Sequence, residues 1–161
     1  MKKSMIFAPI AALAASAALV SPAFADGHSE GAAPSLEEVL ASDKRGDDGE
    51  RDQYRRPVET LGFFGVKPTM TVAEYGPGGM WYTRVLAPYI MPAGQYIAFN
   101  QDSDGREYRS RAAEVRSKGW TERFKSTVSE MMGVEADAVT AFEIDEMPED
   151  AAGTVDRVLI F

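Results

Sequence analysis

The sequence predicts an α/β protein built on a parallel sheet, and three observations carry that prediction. Short apolar runs alternate with stretches of helical periodicity from Arg51 to Phe161. The first of those runs, Thr71-Val72-Ala73-Glu74, breaks sharply at Gly76-Pro77-Gly78-Gly79 and passes into a new helix. The chain shows no internal repeat, and its length suits one small domain.

The chain opens with export chemistry. Lys2 and Lys3 precede an uncharged apolar run from Met5 to Val20, and Ala23-Phe24-Ala25 supplies the small-x-small pattern that signal peptidase reads. The run is Ala-rich, broken by Pro9 and Pro22, and short of the roughly 20 strongly apolar residues of a membrane span. Residues 1–25 are therefore expected to be a cleaved signal peptide. The product would be periplasmic or secreted, with no membrane span after cleavage. Removing those 25 of 161 residues leaves 136 and takes two lysines, so the formal net charge moves from −8 to −10. Such an acidic balance, without any basic stripe, excludes nucleic acid as a partner. Cysteine is absent, which excludes disulfides, thiol chemistry and sulfur-ligated metals. The only histidine, His28, lies in a Gly/Ala/Ser-rich stretch beside the cleavage site. The domain itself thus offers no imidazole for a general base, a zinc site or a Ser–His–Asp arrangement, and no metal site is expected.

Residues 26–50 read as a flexible linker, from Asp26-Gly27, Gly31-Ala32-Ala33-Pro34 and Gly46-Asp47-Asp48-Gly49. Within it, Ser35 to Leu40 has the chemistry of one or two helical turns capped by Ser35. Order is expected from Arg51. Tyr54, Val58, Leu61 and Phe64 share a helical face. Pro57 lies inside that span and places the helix start there, with Gly65 as its stop. Beyond the Gly-rich turn, Trp81 to Pro88 is a helix with Trp81, Val85 and Leu86 inward, closed by Pro88 and Pro92-Ala93-Gly94. Gln95 to Phe99 is a second strand, followed by the loop Asn100-Gln101-Asp102-Ser103-Asp104-Gly105 and a charged helix from Arg106 to Lys118. Thr121 to Met132 places Phe124, Val128, Met131 and Met132 at i, i+4, i+7 and i+8, a core face. Ala138 to Ile144 and Val155 to Phe161 are the third and fourth strands.

Chemistry concentrates in Glu74-Tyr75-Gly76-Pro77-Gly78-Gly79-Met80-Trp81-Tyr82-Thr83. Glycines at the mouth of a strand adopt positive φ and let a ligand approach the backbone, while the next helix start adds free N–H groups and a positive dipole end. The Gly-Lys-Ser/Thr of a phosphate-binding Walker loop is missing, and Trp81 occupies the last glycine position of the dinucleotide fingerprint. A carboxylate before the turn repels pyrophosphate and suits a cationic ligand. The Asn100–Gly105 loop has the composition of an ordinary turn. Its likeness to a calcium loop fails on the missing twelfth-position glutamate and the preceding strand.

Val72 to Gly79 resembles the first motif of class I S-adenosylmethionine-dependent methyltransferases, an acidic residue followed by a Gly-rich turn. Tyr54-Arg55-Arg56-Pro57, Glu59 to Gly65, Gly78 to Thr83 and Leu86-Ala87-Pro88-Tyr89 are similar to a family of exported bacterial predicted methyltransferases. The resemblance implies a Rossmann-like three-layer parallel sheet in strand order 3-2-1-4, with S-adenosylmethionine as cofactor. It assigns Glu74 and the Gly76, Pro77, Gly78 and Gly79 backbone to the methionine moiety. Asn100, with Asp102 behind it, falls to the ribose, and Asp145 to the adenine. The methyl acceptor and any catalytic residue stay unassigned. Met80 stands where that class keeps its last glycine, and Asn100 where it keeps an acid. Members of that fold carry further strands, so Val155 to Phe161 is expected as an exposed apolar edge and the domain, residues 51–161, as incomplete. The alternative expectation is a non-catalytic module that binds another small ligand or a protein on the same fold.

Overall fold

β-Branched and aromatic residues set the strands, and their pairing sets the fold. The computed structural model describes residues 33–161; the expected signal peptide, His28 and the start of the expected linker lie outside the described residues. Four strands, β1 (Thr71–Tyr75), β2 (Gln95–Asn100), β3 (Thr140–Glu143) and β4 (Arg157–Ile160), form one all-parallel sheet in the order β3-β2-β1-β4. The expected strand order is the observed one. In register, Tyr75 faces Phe99, Phe99 faces Phe142 and Tyr75 faces Ile160, so all four carboxyl ends lie along one rim.

Strand alternation divides the residues between two unlike faces. On one, Val72, Tyr96, Ala98, Ala141 and Leu159 join the main core with buried side chains from helices α1 (Leu36–Leu40), α3 (Pro57–Phe63), α4 (Thr83–Ile90) and α6 (Trp120–Met132). Val85, Leu86, Ile90 and Val128 are fully enclosed there, each burial contributing about 1.5–3 kcal/mol. On the other face only Ala73, Ile97 and Phe142 are buried, with Phe99 and Val155 against them. The third layer expected from the sequence is therefore not present among the described residues. Handedness explains the asymmetry. The crossovers β1-to-β2 and β2-to-β3 step in one direction and deposit their helices on the same side. The β3-to-β4 connection steps back across the sheet and must cover the opposite side. It contains only two 3-10 turns, Ile144–Glu146 and Glu149–Ala151. Under that thin cover lies an apolar cavity of about 240 Å³, and Val158 and Ile160 of β4 remain 56% and 70% exposed. β4 is an edge strand, as expected.

Residues 33–51 depart from the linker expectation, because order begins before Arg51. Ser35 caps α1 through a reciprocal capping box with Glu38, and Val39 of that helix is buried. A 3-10 stretch, Asp43–Arg51, follows, kinked at Gly46 (φ 50°), and then α2 (Asp52–Arg55). Arg45, 5% exposed, makes a two-pronged ion pair with Asp52 at 2.7 Å and lies over the Trp81 ring. Turn-forming composition concealed these anchors.

Several boundaries shift for local reasons. Arg56 takes a left-handed conformation (φ 43°) and separates α2 from α3, which then starts at Pro57 as expected. α4 tolerates Pro88, whose ring nitrogen leaves the Arg84 carbonyl without its helical partner, and runs on to Ile90. α5 (Arg111–Lys118) begins at a Ser110 cap rather than Arg106 and buries no residue, consistent with a solvated charged helix.

Candidate functional site

The Gly-rich turn leaves the carboxyl end of β1 and delivers the chain into α4. Gly76 (φ 61°) and Gly78 (φ 54°) require the left-handed region, and their backbones, with that of Gly79, are exposed while Pro77 is buried. Gly76 N–H donates to the Phe99 carbonyl at 2.8 Å, extending the β1–β2 ladder by one bond, and Met80 N–H closes a turn on the Pro77 carbonyl. Met80 is left-handed as well (φ 63°). The position where the methyltransferase class keeps a glycine thus has the backbone of a glycine and a methionine side chain on it.

Glu74 does not point outward from the turn. Its position in β1 sends the carboxylate to the helix-covered face, where it is 2% exposed. There Tyr96 donates its hydroxyl to Oε2 at 2.5 Å and Thr83, the first residue of α4, donates at 2.9 Å. Burial pushes the Glu74 carboxyl above its ordinary range, and the hydrogen bonds from Tyr96 and Thr83 pull it back part of the way. Burial first, and then the neighbouring carboxylate, hold the Tyr96 hydroxyl well above the usual tyrosine value. Tyr96 and Thr83 escaped the sequence reading. Alternation along β2 puts Tyr96 on the same face as Glu74, but only the register makes them neighbours.

The turn is braced from outside. Trp81 Nε1 donates to the Asp48 carbonyl at 2.9 Å, and Arg84 Nη1 reaches both Asp48 Oδ2 at 2.8 Å and the Gly79 carbonyl at 3.1 Å. Trp81 and Tyr82 are buried, in keeping with core packing, and Tyr82 stacks on Phe161 at 3.4 Å between ring centroids.

At the neighbouring strand ends the structure brings part of the remaining set together. Asn100 follows directly along the rim, its Oδ1 accepting from Gln101 N–H within its own loop. Asp102, Glu143 and Asp145 place one carboxylate oxygen each within 4.8 Å of one another. They line a polar cleft of about 330 Å³ with Lys118 and Thr121. Glu143, which the sequence reading passed over as a strand residue, also accepts from Ser103 N–H at 2.6 Å and so fixes the loop after β2. Gly76, Asn100 and Glu143 occupy successive strand ends on the rim, whereas the Glu74 carboxylate lies beneath it. Among the described residues no helix is long and apolar enough to cross a membrane. No protein-family model matches the chain, and neither a curated protein nor a solved structure matches it.

Proposed function

We propose that the chain binds S-adenosylmethionine at the Gly76–Gly79 turn and serves as an exported S-adenosylmethionine-dependent methyltransferase, or as the cofactor-binding half of one, on a Rossmann-like fold. The observation that carries this reading is the position of the left-handed glycines. They sit at the carboxyl end of β1, in a parallel sheet of order 3-2-1-4, immediately before a helix. That is where open α/β sheets hold their ligands.

The residues present fit such a ligand in part. Exposed backbone at Gly76, Gly78 and Gly79 admits a close approach. Asn100 keeps its amide nitrogen as a donor for a ribose hydroxyl, with Asp102 beside it and Asp145 exposed for an adenine amino group. Glu74 is the part that does not fit, because both hydrogen bonds land on Oε2 and the carboxylate, 2% exposed, lies beneath the rim rather than at the turn. When bound, the cofactor supplies an activated sulfonium methyl group. The chain's own part is to align the reactants and exclude water, and a general base is needed only where the acceptor must lose a proton.

Two observations favour a second reading, a non-catalytic module that binds another small ligand or a protein. Glu74 is already engaged by Tyr96 and Thr83, and Met80 puts a side chain on a left-handed backbone position of the turn. Calorimetric titration of S-adenosylmethionine into the full-length protein decides between them. Saturable binding that Gly78→Val abolishes supports the cofactor site. A folded protein that shows no binding overturns it in favour of the second reading.

A further inference from the structure

A further cavity, of about 290 Å³, opens on the helix-covered side between the 33–51 segment, α4 and α6. Its size falls at the small end of ligand pockets. Val39, Pro88, Pro92, Met131 and Met132 make its wall apolar. Its polar end carries three cations, Lys44, Arg45 and Arg84, against a single acid, Glu38. Glu38 is already committed, since its Oε2 accepts from Ser35 N–H in the α1 cap.

The cations differ in what they have left to give. Arg45 is spent on Asp52 and the Leu40 carbonyl, and its buried Nε has no hydrogen-bond partner among the described residues. Arg84 spends only Nη1, on Asp48 and Gly79, so its second terminal nitrogen has no partner among the described residues. Lys44 is exposed and makes no ion pair among them. An apolar wall meeting an unpaired lysine and the free second terminal nitrogen of an arginine already paired with Asp48 selects one ligand chemistry, a small organic anion with a hydrocarbon body. We propose that this cavity binds an amphipathic carboxylate, its chain against Met131, Met132 and Pro92 and its carboxylate between Lys44 and Arg84. The site is separate from the Gly-rich turn and does not depend on what that turn holds. Arg84 nevertheless joins the two, because the same guanidinium holds the Gly79 carbonyl.

The test is calorimetry of the full-length protein with octanoate as probe and octylamine as its cationic counterpart of equal length. Octanoate is expected to saturate one site and octylamine to bind at least about tenfold more weakly. Lys44→Glu, at an exposed position that leaves the fold intact, is expected to weaken octanoate by about tenfold or more. Saturating S-adenosylmethionine is expected not to displace octanoate, which keeps this site distinguishable from the proposed cofactor site. Absence of octanoate binding, equal binding of octylamine, or indifference to Lys44→Glu overturns the proposal.

Discussion

Tyr96 donates its hydroxyl to Glu74 Oε2 at 2.5 Å across the first two strands, in a pocket that water barely reaches. Together with Thr83 it ties β1, β2 and the start of α4 to one carboxylate. Removing a donor from a buried acceptor costs about 1–3 kcal/mol. Tyr96→Phe is therefore expected to lower unfolding free energy by about that amount, read from urea denaturation. An unchanged midpoint would mean that Glu74 finds another partner.

The same carboxylate sets a pH dependence with a definite sign. Its folded-state value lies above the usual 4.5, chiefly through burial, so the folded protein holds this proton more tightly than the unfolded chain. Its contribution is full below 4.5 and is lost as pH rises through the raised value. Glu74→Gln stays neutral throughout. The variant is expected to gain stability relative to the parent on going from acid to neutral pH, measured by denaturation of both proteins in parallel. A difference independent of pH would contradict the assignment. Glu38 works in the opposite sense, since hydrogen bonds from Ser35 lower its value, but it is present in both proteins and cancels.

Met80 inverts a familiar ranking. Glycine normally costs stability relative to alanine, yet a left-handed backbone costs a side-chain-bearing residue about 1–2 kcal/mol. Met80→Gly is expected to be more stable than Met80→Ala by about 1 kcal/mol. If the Gly-rich turn holds S-adenosylmethionine, Met80→Gly is also expected to bind it more tightly than the parent. Thermal denaturation and calorimetry read the two effects separately.

Gly94 and Gly79 form a contrasting pair. A Cβ at Gly94 would fall inside contact distance of the Met70 and Pro68 carbonyls, backbone that has little room to move, whereas a Cβ at Gly79 meets open space. Gly94→Ala is expected to destabilise by about 1–3 kcal/mol, and Gly79→Ala by less than about 0.5 kcal/mol. Equal effects in urea titrations would show that the approach to β2 is softer than drawn.

The sheet was legible because its signals are local. Thr71 and Gln95 start their strands as the apolar runs indicate, and Pro57 and Gly65 bound their helix. Alternation and crossover order then fix which residues share the rim. The candidate site was legible only as backbone. Gly76 and Gly78 announce their conformation by lacking a side chain, but the fate of Glu74 depends on Tyr96, 22 positions away. Glu143 joined Asp102 and Asp145 through the β2–β3 register, which no short window contains. Arg45 and Asp48 were hidden for a different reason. Their neighbours Gly46 and Gly49 carry turn chemistry, and what orders the segment is contact with Trp81 and Arg84, more than 30 positions downstream.

Placing β4 beside β1 has a kinetic consequence. Thr71 N–H donates to Asp156 Oδ2 and Asp156 N–H donates to the Thr71 carbonyl, so the pairing joins residues separated by 85 positions. Contacts that distant close late, because the entropy of the intervening loop must be overcome before they return anything. Until they do, Val72 lacks its neighbour Arg157, Glu74 lacks Leu159, and the central strand presents a bare edge. A nascent chain therefore keeps this edge of β1 unpaired until the residues after 155 have emerged.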